Sequence, residues 1–159
     1  MKHIWIQLNF AALTLTSTSV FAQTMSYGSP ISLEVAQKVT QVASKDMHQR
    51  KLEMTIAVVD SGGNLVYLER ANQAGIGTID AAIGKAKAAN GIKVPTKAIQ
   101  EQILKNNSLN LLAVPGAFPV EGGVPLVINN QVVGAIGVSG GMPADDGDIA
   151  NAGAKSLQP

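Results

Sequence analysis

Residues 118–141 read FPVEGGVPLVINNQVVGAIGVSGG, and the fold turns on how this stretch is read. Val124 to Ile128 and Val132 to Val138 have the composition of strands, and Asn129-Asn130-Gln131 between them forms a turn. Two features do not suit an ordinary hairpin. Glu121 stands directly before Gly122 and Gly123, and Pro119 and Pro125 stiffen the chain on either side. Gly134, Gly137 and Gly140 recur every third residue, so they fall on alternating faces of the second strand. Glycine inside a strand marks the close approach of a ligand or of another backbone. Either the glycines only turn the chain, or they clear space for something held against it.

Working outward, Met54–Val59 and Leu65–Glu69 form a second pair of strands around Ser61-Gly62-Gly63-Asn64, residues that take positive φ at little cost. Leu33, Val35, Ala36, Val39, Val42, Ala43 and Met47 make a helical stripe before them. A helix from Thr78 to about Asn90 carries the small-residue face Ala81, Ala82, Ile83, Ala86 and Ala89, which lets it lie close to a sheet or to another chain. Pro95 opens a short helix through Leu104, NLLAVPG at 110–116 is expected to be a short strand, and PADDGDIANAGAKSL closes the chain as a helix with an acidic first turn. The order α-β-β-α-α-β-β-β-α predicts one α+β domain, an antiparallel sheet covered by helices. QTMSYGSP, residues 23–30, is read as an unpacked lead before the domain at 31–159.

Residues 1–22 read as a signal peptide. Lys2 supplies the positive start, IWIQLNFAALTLT the apolar stretch, and Val20 and Ala22 the small residues before a cut. The apolar run is shorter than the roughly 18–20 residues that span a bilayer, so no stable membrane span is expected after cleavage. The 159 residues less these 22 leave 137, enough for one core. Loss of Lys2 balances the basic residues against 11 acids. A near-neutral chain has no long-range attraction for nucleic acid. The absence of cysteine excludes thiolate nucleophiles and iron–sulfur clusters.

Few residues remain for chemistry. GIGTID follows a strand and opens a helix, but Asp80 occupies the place of the third glycine of a dinucleotide fingerprint and would repel a pyrophosphate. DDGD at 145–148 lacks the ligand alternation of a calcium loop and is read as helix-start acids. His48 is the one histidine after residue 22, at the end of the first helix, and a lone imidazole suits an axial haem ligand better than a metal cage. No metal site beyond such a haem iron is expected.

IAVVDSGGNLVYLER, IDAAIGKAKAA, PVEGGVPLVINNQVVGAIGVSGG and Asp145-Asp146 before the last helix resemble the GlcG/HbpS family, over about residues 31–157. That family includes haem-binding sensor-accessory proteins and the C-terminal domain of the PduO-type adenosyltransferases. The resemblance implies a profilin-like sandwich, homo-oligomers, and binding of haem or a related tetrapyrrole. It places Glu121, Gly122, Gly123 and Pro125 at a pocket rim, with Asp60, Arg70 and Lys85 nearby, and leaves His48 and Thr96 as candidate iron ligands. Two alternatives stand beside a haem binder: a haem-degrading enzyme, and a binder of small organic carboxylates using Arg70 or Lys85. The alanine face of the second helix is expected to support self-association. Export to the periplasm or outside the cell makes one direct prediction: mass spectrometry of the native protein should find Gln23 at the N-terminus, whereas an intact Met1 in a soluble cytosolic fraction would refute it.

Overall fold

The structure, a computed structural model, describes residues 25–158, so the proposed signal peptide lies outside the described residues. The elements in chain order are β1 (Ser26–Tyr27), α1 (Leu33–Gln49), β2 (Thr55–Asp60), β3 (Leu65–Arg70), α2 (Thr78–Ile92), α3 (Thr96–Asn106), a 3-10 turn (Leu109–Ala113), β4 (Gly123–Ile128), β5 (Gln131–Ser139) and α4 (Pro143–Lys155). The expected α+β class holds.

Strand β5 is the spine of the sheet. It pairs antiparallel with β4 on one side and with β2 on the other, and β3 lies outside β2. One helical layer, α1 with α4, covers Ile56, Val58, Ile136 and Val138. The second layer, α2, covers Val59 and Ala135 with Ala86 and Ala89. This alternation of faces along β2 and β5 follows from the two-residue period of a strand.

Local chemistry explains where the elements start and turn. The Ser32 hydroxyl caps α1 by accepting from the Val35 N–H, with Glu34 in the first turn and His48 in the last. In the β2–β3 hairpin, Asp60 accepts from the Asn64 N–H at 2.9 Å and Gly63 takes φ +81°. Burial lifts the Asp60 carboxyl, but the Asn64 and glycine donors outweigh it and hold it below the ordinary range.

Three sequence expectations are corrected. NLLAVPG is not a strand: Leu109–Ala113 forms a 3-10 turn, closed by Leu111 N–H donating to Ser108 and Val114 N–H to Leu111, and none of its residues is buried. A short apolar run cannot by itself be assigned to strand rather than turn. Nor is the lead unpacked. Ser26 and Tyr27 run parallel to β5, the Tyr27 hydroxyl donates to the Asn90 carbonyl at 2.9 Å, and the Lys93 ammonium lies 4.3 Å above the Tyr27 ring. Finally, Ala82, Ala86 and Ala89 are fully buried against the sheet within one protomer. The alanine face is therefore not free for self-association.

That close approach of α2 requires glycines beneath it. Gly123 and Gly137 are cross-strand partners, and a Cβ on Gly137 would collide with the Ala82 carbonyl and sit 2.6 Å from the Ala86 nitrogen. Gly137→Ala should therefore destabilise the domain by about 3 kcal/mol, as overpacking of a tight core does. Denaturant unfolding should register this as a lower midpoint at unchanged slope; a loss below about 0.5 kcal/mol would mean that α2 can move away freely.

Candidate functional site

At Gly122 the backbone takes φ +130°, and a Cβ there would lie 2.6 Å from the Val138 carbonyl and 2.9 Å from Lys85 Nζ. A Cβ on Gly123 would strike the Lys85 carbonyl. The glycines thus clear space, and what occupies it is the chain itself.

Lys85 enters this space from α2 with only 2% of its surface exposed. Its ammonium donates to the Val138 carbonyl at 3.1 Å and to Asp146 Oδ2 at 2.5 Å. Asp146, also 2% exposed, comes from the first turn of α4, and its other oxygen accepts from the Gly141 N–H at 2.9 Å. Burial pushes the Asp146 carboxyl upward, against the lowering pull of Lys85 and Gly141. The pair joins the α2 layer to the α4 layer past the end of β4.

Around it lies a second tier. The Glu121 N–H donates to the Gln100 side-chain oxygen at 2.8 Å, and Glu121 Oε1 accepts from Lys97 Nζ at 3.0 Å. The hydrogen bond to Glu121 raises the Lys97 ammonium above its ordinary value. The Glu121 carboxylate rests on Gly147, where any Cβ would overlap it. Thr96, fully buried, accepts from the Gly123 N–H at 2.9 Å.

Of the residues singled out by sequence, the structure brings together Lys85, Glu121, Gly122, Gly123 and Thr96. Pro125 is buried in β4 opposite Ala135, on a strand that pairs only with β5 among the described residues. Asp60 and Arg70 are elsewhere. Asp60 holds the hairpin turn, while Arg70, paired with Thr55 at the far end of the same strands, reaches the Ala74 carbonyl at 3.5 Å. His48 ends α1, exposed, with its Nδ1 held on the Ser44 carbonyl at 2.6 Å. Sequence reading missed Asp146, Lys97, Gln100 and Gly147. Thr96, Lys97 and Gln100 share helical spacing, which was the one available signal for two of them. Asp146 was hidden by a sufficient explanation as a helix-start acid.

Two surface depressions are lined by none of this cluster. One of about 470 Å³ lies between α1 and β3, and one of about 320 Å³ between residues 29–35 and the β4–β5 turn.

A family model described as "Haem degrading protein HbpS-like" matches residues 31–155. The chain belongs to the HbpS-like family. Protein GlcG of Escherichia coli (strain K12) is 30% identical over 69% of this chain and 81% of its own. The Klebsiella pneumoniae protein ORFY aligns with TM-score 0.76 and 27% identity, covering 87% of this chain and 97% of that one. The crystal structure of HbpS aligns with TM-score 0.77 and 27% identity, covering 84% and 94%. The HbpS-like fold is thus the expected sandwich of one sheet between helices.

The Lys85–Asp146 pair gives a sharp test. Removing one partner of a buried ion pair strands a charge and costs about 3–5 kcal/mol. Lys85→Met and Asp146→Leu should each lower the unfolding free energy by that order. The double variant Lys85→Met/Asp146→Leu should recover part of the loss, and simple additivity in the cycle would show that the two groups do not act as a pair.

Proposed function

We propose that this chain is an exported small-ligand-binding protein that takes haem or a related tetrapyrrole in a homo-oligomer, in the periplasm or outside the cell. The observation that carries this reading is the surface of α3 and the 3-10 turn. Leu104, Leu109, Leu112 and Val114 are all exposed within eleven residues of chain, Leu104 by 74%. A monomer in water gains nothing from such a cluster, and a patch of this kind is usually covered by a ligand or partner. A tetrapyrrole is a broad apolar disc edged by carboxylates. The apolar side chains suit the disc, and Lys97 and Lys105 on the same helix suit the carboxylates. Lys105 already sits in an exposed ion pair with Glu101, which exchanges partners at little cost, while Lys97 keeps its half-exposed ammonium on the buried Glu121 carboxylate and has further N–H donors to offer. The family description, with its reference to haem, points the same way.

The side chains present fit an iron in one respect. With Nδ1 of His48 on a backbone carbonyl, Nε2 is left as an open ligating nitrogen. The imidazole, however, stands at the end of α1 beside Ser44, away from the α3 surface, so it does not hold a tetrapyrrole seated there. Thr96 fits poorly, because its buried hydroxyl is committed to the Gly123 N–H. Haem supplies redox chemistry of its own when bound; the chain's part is to seat and orient it. Binding is favoured over turnover because the acid–base candidates are engaged, Lys85 with Asp146 and Glu121 with Lys97. The same engagement leaves Lys85 with little to offer a small carboxylate.

Titration with haemin should give a saturating Soret shift. Leu109→Asp with Leu112→Asp should weaken uptake by about tenfold or more, since burial of each leucine contributes about 1.5–3 kcal/mol. His48→Ala should retain uptake, because the apolar surface holds the ring. A native protein that gives no shift, yet is stabilised against melting by small organic acids, would replace this reading with the carboxylate one.

A further inference from the structure

We propose that the groove between α1 and β3 binds an extended peptide, added to the sheet as a further strand, with a lysine or arginine side chain against Glu69. The reading is independent of the tetrapyrrole proposal, which uses a different surface.

The backbone of β3 carries the argument first. Among the described residues β3 pairs only with β2. The Ala71 N–H donates to the Met54 carbonyl at 3.0 Å, which fixes the phase of the ladder. In an antiparallel pair, residues that exchange hydrogen bonds alternate with residues that turn their N–H and C=O outward. With Thr55 opposite Arg70 and Ala57 opposite Leu68, the outward residues are Leu68 and Arg70. They present free donors and acceptors on a six-residue edge. An edge of this kind is a template for an added strand.

Helix α1 builds the wall over that edge. Glu34, Gln37, Lys38, Gln41 and Ser44 are spaced three and four apart and lie on one face, opposite Tyr67 and Glu69 on β3. Together they line the groove of about 470 Å³, wide enough for side chains and floored by polar groups.

Charge selects the occupant. The charged residues lining the groove are Glu34, Lys38 and Glu69, one cation against two carboxylates, so the lining carries a net negative charge. Glu69 has no lysine or arginine in an ion pair among the described residues. Its Oε1 accepts from the Ser44 hydroxyl at 2.5 Å, which fixes its position while leaving its charge unmatched. A second copy of β3 would bring Tyr67 and Glu69 on this face and no cation, because Arg70 faces the other side. A basic side chain on an unrelated extended segment fits better.

The probe is an acetylated and amidated octapeptide of alternating threonine and lysine, labelled for fluorescence polarisation. The native protein should bind it saturably, and about tenfold more weakly when glutamate replaces the lysines. Methylating alternate peptide nitrogens should remove binding, since the ladder would be lost. Amide exchange at Leu68 and Arg70 should slow only on adding the peptide. Glu69→Lys should invert the preference, and Gln41→Trp, on the exposed face of α1, should block the groove at unchanged melting temperature. Absence of saturable binding, or equal binding of the methylated peptide, overturns the proposal. Slow exchange at Leu68 and Arg70 in the free protein also overturns it, since the edge would already be covered by a second copy.

Discussion

A lysine ammonium and an aspartate carboxylate, both out of water and 2.5 Å apart, constrain everything around them. Taking two charges from water is expensive, and their attraction offsets that only when the geometry is held and the remaining donors and acceptors are matched. Val138 and Gly141 provide the matching, one with a carbonyl and one with an N–H. The consequence is register. Lys85 fixes the height of α2 on the sheet, Asp146 fixes the first turn of α4, and Gly122 must lack a side chain because Nζ passes beneath it. Gly123, Gly137 and Gly147 then follow as positions where backbone or a carboxylate comes too close for a Cβ. A hydrophobic pair of the same volume could be as stable, but it would not specify one alignment of two helical layers.

The architecture was largely legible in the sequence, because the helical stripe of α1, the Gly-Gly hairpin and the β4–β5 alternation each report their own period. What failed had no period of its own. β1 is a two-residue strand whose existence depends on Tyr27 finding the end of α2 and Lys93. Leu109–Ala113 is apolar enough for a strand but has no strand to pair with. The site was half legible. Its glycines read equally as a turn or as a demand for space, and the occupant could not be named, because Lys85 and Asp146 are 61 residues apart and neither residue type announces burial. Asp60 and Arg70 are tied to local turns, a use that the family pattern does not distinguish from ligand binding.

Polar and apolar demands are separated in space. The ionisable groups nearest Gly122 are satisfied by one another, so that region sets geometry. The 3-10 turn does the opposite: it brings apolar side chains to the surface and buries none of them. With the alanines of α2 spent on the sheet, α3 and this turn are where an apolar partner, ligand or second copy would find area to bury.

The two outer strands are treated differently as well. On one side, Pro125 removes a donor from β4, and Thr96 of α3 bonds the N–H of Gly123 at the start of the strand, so that edge is blunted. β1 closes the portion of β5 that β2 does not reach. β3 has neither device. Its bulge lies at the hairpin end, beyond Tyr67, its outward groups lie at Leu68 and Arg70, and there the charge of Glu69 and Arg70 discourages unspecific pairing without covering the backbone. Glu69 is also the residue that Ser44 holds in place. A guarding charge on an edge strand does its work while mobile; one fixed by a buried hydroxyl has a defined direction, and a defined direction is what recognition of an opposite charge requires.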